Sequence, residues 1–504
     1  MTGLHRTEMT AAARAAFSAK AFALQGCYGA VTDLSEAYQV SRNTVYAAGA
    51  TAEAVLQEHF AKDETELRAV KVSVDEAQLR RTIVALRSGA ANSIRAIETL
   101  IPTIYPGVSA SFGKIQCICC VAENNAAEHN RREDQTGIEN GALDEMFSQG
   151  DPVLAGVDLD SGYLFGLKLC DSRSGEDWAG FLREGKEQGL SLSVVVKDAA
   201  PGIASGVSQV FPEAQQRDDC FHALYEINKI RIRLERQGYG AITKEIEEEQ
   251  KLDKIPKEDK DKWDEQRNVL EKAQQQCLKA MELHDSFASA ALEARGAMEL
   301  VELGTGQIQT AEDVKEKLLK ASQRMQSLED SGCRRVGKYL ENRTPGLSLS
   351  TAEMEAKLDK LKETYPDEAI ALACLVWQLV HTLKNNSYPW RRSEFTQLLL
   401  GSYAKLMQIA GNKTDTLLDR IEKLLEQRHR ASSAIEGFNA SLRPFLYVQK
   451  GVTQGFLELF RAYHNLKVRR WGRHRNTSAS QVLTGKAVDD WLSLLGFPPS
   501  NTQH

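Results

Sequence analysis

The apolar and polar positions along the chain follow two different periods, which divide it into helical and strand-forming parts. From the N-terminus to about residue 137, apolar residues recur at helical spacing. From Ala142 the pattern changes to short alternating runs typical of strands, and from 223 to 431 it is again helical and rich in charge. These changes predict five domains or segments: 1–70, 71–137, 138–222, 223–431 and 432–504.

The segment 138–222 predicts a mixed sheet with helices on both faces. ALDEMFSQ, PVLAGVDLD and GYLFGLKLC are short apolar-alternating runs joined by turn residues, so we expect an antiparallel meander of three strands. LSLSVVVKD is a continuous apolar run typical of a buried strand, and it lies between two helical stretches. The order of elements indicates a multidomain α+β or α/β protein, with the charged helical segment 223–431 inserted as a separate all-helical part.

Residues 1–70 contain a pattern typical of a helix-turn-helix. In TDLSEAYQVSRNTVYAAG, Leu34, Ala37 and Tyr38 are expected to pack the first helix. Val40 then lies in the turn, and Ser41 is a favourable N-cap for the second helix. The start of that second helix is where a recognition helix meets DNA, and its candidate DNA contacts are Arg42, Asn43, Thr44 and Tyr46. A three-helix packing unit without DNA contacts has a similar pattern.

A second helical unit, which also resembles a helix-turn-helix, is predicted for 71–137. SVDEAQLRRTIVALRSGAANSIRAIETLIPTIYP indicates two helices, with Ser73 or Asp75 able to cap the first. A turn then leads into the helix KIQCICCVAENNAAEHNRR, whose start carries the candidate DNA contacts Lys114 and Gln116. Two such units ahead of another domain favour an N-terminal region that binds DNA.

Length, charge and cysteine content narrow the class of protein. A chain of 504 residues is too long for one compact core, and its net charge of −6 does not by itself indicate a nucleic-acid binder. Between 428 and 475, however, arginines and lysines are interleaved with aromatic residues, as in a track for a phosphate backbone, although a core helix with a basic outer face has the same pattern. No apolar run approaches the roughly 20 residues that span a bilayer, so we expect a cytoplasmic protein without membrane contact. Cys117, Cys119 and Cys120 are interpreted as core residues rather than zinc ligands, because no second ligand pair completes a site.

Three acidic residues occur where a sheet could bring them together. Asp144 lies within the first strand, Asp198 ends the buried strand VVVKD, and Glu436 begins the helix AIEGFNASLR. Helical spacing places Asn439 and Arg443 on the same face as Glu436. Phosphodiester chemistry with two Mg²⁺ or Mn²⁺ ions needs a small set of converging carboxylates, because these hard cations prefer oxygen ligands. The sequence therefore predicts a two-metal site built from these acids.

Several phrases in this order resemble bacterial insertion-sequence transposases of the DDE superfamily, which is related to retroviral integrases. They are LDEMF…VLAGVDLDSGYLFG, VVVKDAAPGIASGVSQVFPEAQQRDDCFH and SSAIEGFNASLRPFL…FLELFRAYHNLKVRR, and the similarity covers about 25–240 and 428–485. The resemblance implies an RNase H-like core. It makes Asp144, Asp198 and Glu436 the catalytic metal ligands, with Asn439 and Arg443 as DNA contacts.

Two assignments within the resemblance have alternatives. Asp158 and Asp160, in GVDLDSG, compete with Asp144 for the first acid, although their place at a hairpin turn favours Asp144. Cys220 and His222 match a Cys-x-His found after the second acid in several branches, and the alternative is a buried structural pair. The long separation between Asp198 and Glu436 matches members that carry a helical insertion before the catalytic glutamate.

The function that the resemblance implies is DNA transposition. The protein would bind the terminal inverted repeats of a mobile element as double-stranded DNA, cleave them with two metal ions and join them to target DNA. It would act as a homodimer or higher oligomer in a nucleoid-associated complex. One alternative is a domesticated, transposase-derived protein that binds DNA without catalysis. Another is a structural coiled-coil protein, which leaves the matching acids unexplained.

Overall fold

The computed structural model describes residues 9–61, 74–198, 200–256, 258–385, 389–448 and 451–500. Contacts divide the chain into two compact units, Met1–Ser73 and Val74–His504. None of the described helices is both long and apolar enough to cross a membrane.

The first unit is a small helical bundle, and two of its helices lie where the helix-turn-helix pattern was found in the sequence. Its helices are α1 (Ala11–Ala23), α2 (Ala30–Ala37) and α3 (Arg42–Ala61). Phe17, Leu34 and Val45 are buried between them. The prediction that Ala37 packs the first helix is wrong, because its side chain is exposed.

The second unit begins with three capped helices, α4 (Glu76–Gly89), α5 (Ile94–Ile104) and α6 (Phe112–Arg132). The side chains of Asp75, Ser93 and Ser111 accept hydrogen bonds from backbone N–H groups of the first turns, which stabilises each helix start. Buried apolar residues of α4–α6 form one core with residues 459–497. The N-terminal and C-terminal parts of this unit therefore fold against each other.

A five-stranded mixed sheet follows, interrupted by two helices. Its strands are β1 (Asn140–Ser148), β2 (Asp151–Asp158), β3 (Leu164–Leu169), β4 (Val194–Lys197) and β5 (Gln215–Asp218). The strand order is β3-β2-β1-β4-β5. β1, β2 and β3 form the predicted antiparallel meander, whereas β4 and β5 run parallel to β1. Between strands lie α7 (Gly175–Glu187) and α8 (Pro201–Val210).

The next part of the chain is helical, as predicted. It comprises α9 (Cys220–Asp253), α10 (Lys260–Ala297), α11 (Ala311–Ser327), α12 (Ser331–Asp359), α13 (Asp367–Asn385), α14 (Pro389–Ala410) and α15 (Thr414–Glu426), with short 3-10 turns at Lys360–Glu363 and Gly411–Lys413. Its apolar residues form two cores of their own. A short β-bridge between Val301 and Ile308 interrupts the otherwise helical structure. The chain then returns to the sheet through α16 (Ser433–Val448), α17 (Gln454–Leu466) and α18 (Ala479–Thr484), and these are followed by α19 (Trp491–Leu494), which packs on α4.

Helices cover both faces of the sheet. Successive side chains of a strand point to opposite faces, so neighbouring residues of β1 pack in different cores. Leu143 of β1 faces Trp178 and Phe181 of α7, whereas the neighbouring Ala142 belongs to the core formed with Phe438 of α16. The predicted fold class is confirmed: a mixed sheet with helices on both faces, consistent with an RNase H-like core, and a large helical part.

Close packing between α7 and α8 gives a test of this arrangement. A Cβ at Gly206 of α8 would lie 2.4 Å from the Cβ of Trp178 and 2.9 Å from the backbone nitrogen of Ala179. We expect Gly206→Ala to lower the free energy of unfolding by about 1–3 kcal/mol, because backbone atoms must shift. In Gly180→Ala, a matched control on α7, the new Cβ meets nothing within 4 Å. There we expect a gain of about 0.5–1 kcal/mol from helix propensity. Urea unfolding of the two variants measures both, and equal effects would contradict the packing.

Candidate active site

The three predicted acids are positioned by β1, β4 and α16. Parallel pairing sets Leu143 opposite Lys197, so Asp144 and Asp198 each follow one member of that pair. Glu436 lies in the first turn of α16, the helix that packs on β1. The topology therefore brings to one place residues that are nearly 300 positions apart in the chain.

The electrostatics of Asp144 show that the acids lie within range of one another. The pKa of Asp144 is raised to about 7, first by burial and then by the negative charges of Asp198 and Glu436. Hydrogen bonds from the Glu145 N–H and from Asn439 oppose this rise without cancelling it. Carboxylates that repel one another in this way are typical of sites that bind a cation.

Asn439 holds the carboxylate of Asp144 through a hydrogen bond. Its Nδ2 donates to Asp144 Oδ2 over 2.6 Å, and the backbone N–H of Glu145 donates to Asp144 Oδ1 over 2.8 Å. Asn439 is only 2% exposed, and its Oδ1 is buried without a hydrogen-bond partner. The sequence predicted Asn439 as a DNA contact, but its observed partner is the carboxylate of Asp144, which makes it a positioning residue.

The donor set suits a hard divalent cation. Within the part of the chain that the structure describes, no three His, Cys, Asp or Glu side chains converge closely enough to form a ready-made metal cluster. The carboxylates of Asp144, Asp198 and Glu436 nevertheless supply the oxygen ligands that Mg²⁺ and Mn²⁺ prefer. A cation between them would offset the repulsion that raises the pKa of Asp144.

Asp158 and Asp160 are engaged in the turn between β2 and β3. Asp158 Oδ2 accepts the backbone N–H of Ser161 over 2.9 Å and also the Ser161 hydroxyl. The pKa of Asp160 is lowered to about 2, first by a hydrogen bond from His429 and, after the opposing effect of burial, by one from Asn140. Neither residue is among the charges that act on Asp144, which favours Asp144 over Asp158 as the first acid.

The helical segment contributes residues near the ends of β4 and β5, beside Asp198, that the sequence did not predict. Asp218, at the end of β5, pairs in register with Lys197, and its Oδ1 accepts from Arg343 of α12 over 3.0 Å. Lys197 is buried, with its Nζ 3.6 Å from the same oxygen. A Cβ at Gly346 would lie 2.1 Å from Asp218 Oδ2, so α12 packs directly on this carboxylate. The ion pairs tie α12 to the strand that leads into Asp198.

Cys220 and His222 point into different surroundings. Cys220 begins α9 and is buried in a core of the helical segment, and this burial raises its pKa to about 11. A thiol in this state is unreactive at neutral pH. His222 is half-buried, with its Nε2 4.0 Å from a carboxylate oxygen of Glu226. The geometry supports packing for Cys220 and leaves only His222 accessible for a contact with DNA.

The candidate DNA contacts of the first unit lie at the start of α3. Arg42, Asn43 and Tyr46 are exposed there, and Tyr46 is 64% exposed. Thr44 is half-buried, and its backbone N–H donates to the Ser41 hydroxyl over 3.1 Å. Three of the four side chains are therefore accessible, whereas Thr44 takes part in the helix cap.

Lys114 and Gln116 are exposed near the start of α6. Lys114 forms an ion pair with Glu76 over 2.7 Å, which reduces the positive charge at this point. In the cysteine cluster of the same helix only Cys119 is buried, so the prediction of core positions is wrong for Cys117 and Cys120.

The basic and aromatic stretch after residue 428 has both buried and exposed members. Most of its phenylalanines form the core between α16, α17 and the sheet. Arg443 is exposed on α16, and no ion pair to it is found among the described residues. Tyr447 and Trp471 are 76% and 80% exposed. Tyr447 and Trp471 were not separable from the core aromatics by sequence pattern alone, whereas Arg443 had been predicted as a DNA contact.

Comparison with known proteins supports a resemblance to transposases over part of the chain. Residues 157–357 match the family model DDE_Tnp_ISL3, described as a transposase, and these residues include Asp198 and more than half of the helical segment 223–431. No curated protein matches the chain. Among solved structures, the "Drosophila P element transposase strand transfer complex" is 11% identical, with a TM-score of 0.32, and the match covers 76% of this chain and 100% of that chain.

Proposed function

We propose that this chain, whose residues 157–357 match a transposase family, is a DDE transposase that cleaves DNA at the ends of a mobile element and joins those ends to target DNA. The observation that carries the proposal is the arrangement of Asp144 in β1, Asp198 directly after the paired strand β4 and Glu436 in the first turn of α16, which packs on β1. The negative charges of Asp198 and Glu436 raise the pKa of Asp144, which is expected if the three acids share one site. Such a convergence is what two-metal phosphodiester chemistry requires.

Each residue of the site has a distinct part in the proposed reaction. Asp144, Asp198 and Glu436 would hold two Mg²⁺ or Mn²⁺ ions, which supply an activated attacking oxygen and a stabilised leaving oxygen. Asn439 keeps the Asp144 carboxylate oriented toward the site. The N–H of Ala200 donates to Asp198 Oδ1 over 2.8 Å and fixes the second carboxylate. Arg443 is exposed, within two turns of Glu436, and is suited to a phosphate of the bound strand.

Recognition of the DNA ends is assigned to the helical units. Arg42, Asn43 and Tyr46 are exposed at the start of α3, which fits a helix that enters the major groove. Because joining two ends to one target requires both ends in one complex, the active form is proposed to be a dimer or higher oligomer. No membrane or covalent protein–DNA intermediate is part of this proposal.

A strand-transfer assay tests the function. The full-length protein is mixed with linear duplexes that carry the DNA flanking its own gene and with a supercoiled plasmid. We expect nicked ends and joined products with Mg²⁺ or Mn²⁺, and none with EDTA. Specific binding without cleavage would support the domesticated, non-catalytic protein instead. Cleavage that persists in EDTA, or a covalent protein–DNA adduct, would overturn the metal-dependent mechanism.

A further inference from the structure

The segment 467–477, between α17 and α18, forms a loop that presents an exposed tryptophan among arginines. Trp471 is 80% exposed, and Arg470, Arg473 and Arg475 around it are exposed as well. Among the described residues, the one acidic side chain within ion-pair distance of these arginines is Glu426, 3.8 Å from Arg473. The loop therefore carries a large apolar surface and largely uncompensated positive charge.

The loop is held in place by its own hydrogen bonds. The N–H of Asn476 donates to the Arg469 carbonyl over 2.7 Å, and the N–H of Arg469 donates to the Thr477 carbonyl over 3.0 Å, which closes the base of the loop. Gly472 and Asn476 have positive φ angles of 89° and 65°, which permit the tight path between them. Trp471 is thus displayed by a defined loop.

The same loop is attached to the turn between β2 and β3. The Arg469 guanidinium donates to the carbonyl oxygens of Ser161 and Gly162 over 2.8 and 3.1 Å. A ring nitrogen of His474 donates to the Asp160 carbonyl over 2.8 Å. These contacts fix the loop to the catalytic sheet, so its position relative to the acids is set by the fold.

The distance from the acids can be estimated along the strands. Asp144 pairs with Ala155, and Gly141 pairs with Asp158, three residues further along β2. At about 3.4 Å per residue this is roughly 10 Å, and the turn and the loop add to it. A DNA strand advances about 3.4 Å per nucleotide in a duplex, so a strand that runs from the acids to the loop would span on the order of three or more nucleotides.

We propose that this loop binds an unpaired stretch of DNA near the cleavage point, with Trp471 stacked on a base and Arg470 and Arg475 contacting phosphates. Exposed aromatic residues that are flanked by cations are the usual platform for single-stranded nucleic acid, because every base offers a face for stacking. The identity of the strand as DNA rests on the proposed function.

Fluorescence anisotropy with a labelled 30-nucleotide oligo(dT) and a 30-base-pair duplex of random sequence tests the proposal, in EDTA so that no cleavage occurs. A stacked base accounts for about 1–3 kcal/mol, so we expect Trp471→Ala to weaken oligo(dT) binding at least about fivefold. The same substitution should weaken binding of the duplex by a smaller factor. Trp471→Phe should stay within about threefold of the wild type, because the phenyl ring still stacks. Arg470→Ala should lower the salt dependence by roughly 0.7 in log–log slope.

Arg236→Ala and Tyr239→Ala are matched controls, since both side chains are exposed on α9, far along the chain from the loop. An unchanged oligo(dT) affinity in Trp471→Ala, or an equal loss in the controls, would overturn the proposal. So would binding of vesicles with 30% phosphatidylserine that depends on Trp471 while oligo(dT) does not bind. The binding assay tests the loop independently of strand transfer. Glu436→Gln should lose strand transfer but bind oligo(dT) in EDTA like the wild type. Loss of strand transfer with Trp471-dependent binding retained would count against the proposed function alone.

Discussion

Replacing Asp198 with asparagine is expected to lower the rate of DNA cleavage by at least about 1,000-fold while DNA binding is retained. The variant keeps the size of the side chain and can still accept the hydrogen bond from the Ala200 N–H. It removes one of the negative charges that the metal ions require, and several kcal/mol of transition-state stabilisation correspond to about three powers of ten in rate. Glu436→Gln should have an effect of the same size. The measurement is single-turnover cleavage of an end-labelled duplex in Mg²⁺, together with the duplex Kd in EDTA.

Two neighbouring acids serve as controls for this loss. Asp151 is exposed at the start of β2, and Asp151→Asn should cleave DNA at the wild-type rate. Asp158→Asn should weaken the turn that Asp158 forms with Ser161 but leave a folded fraction that is active. If instead Asp158→Asn abolishes cleavage in well-folded protein while Asp144→Asn does not, Asp158 is the first acid. Near-normal cleavage by Asp198→Asn would remove Asp198 from the site.

The second large effect concerns stability in the absence of metal. The pKa of Asp144 is about 7 in the folded protein and close to its ordinary value of 3.8 in the unfolded chain. Between these values the folded state binds more protons than the unfolded state, so this residue makes the free energy of unfolding fall as pH rises. The loss begins above about pH 4 and is complete above about pH 7. At about 1.4 kcal/mol per pKa unit over about three units, the loss reaches about 4 kcal/mol.

Asp144→Asn should remove this pH dependence, because asparagine does not titrate. In EDTA at pH 8 we expect the variant to be more stable than the wild type by the same few kcal/mol, and at pH 4 to be nearly equal to it. Mn²⁺ should stabilise the wild type at pH 8 and have little effect on the variant, since a bound cation takes over the role of the proton. Urea unfolding from pH 4 to 8 measures the difference. Parallel curves for the two proteins would show that Asp144 is not perturbed.

Much of the sheet was predictable from apolar periodicity, and the part that was not has a physical reason. β1 to β4 contain alternating or continuous apolar runs, which patterning detects. β5 is QQRD, a polar edge strand of four residues, and it has no apolar signal. Its pairing with β4 depends on the whole sheet rather than on its own sequence.

The site was predicted in part. Strand ends and a helix start indicated Asp198 and Glu436 as candidates, whereas the sequence left Asp158 as an alternative to Asp144. That Asp198 and Glu436 act on Asp144 is visible only in three dimensions. Arg343 and Gly346 could not be predicted, because they lie in the helical segment and meet Asp218 only after folding. In the sequence Trp471 looks like the other aromatic residues of its stretch. Only the structure shows that it is exposed while the phenylalanines are buried.

The place of α16 in the chain has a consequence for synthesis on the ribosome. All five strands have been made by Asp218, whereas the helix that covers one face of the sheet begins only at Ser433. At roughly 5–20 residues per second, the growing chain spends on the order of 10–40 s with that face uncovered. During this interval Ala142, Met146 and Val157 lack their partners, and a nascent chain is open to aggregation or to capture by chaperones. Since Glu436 emerges with α16, a prematurely terminated chain lacks the third acid.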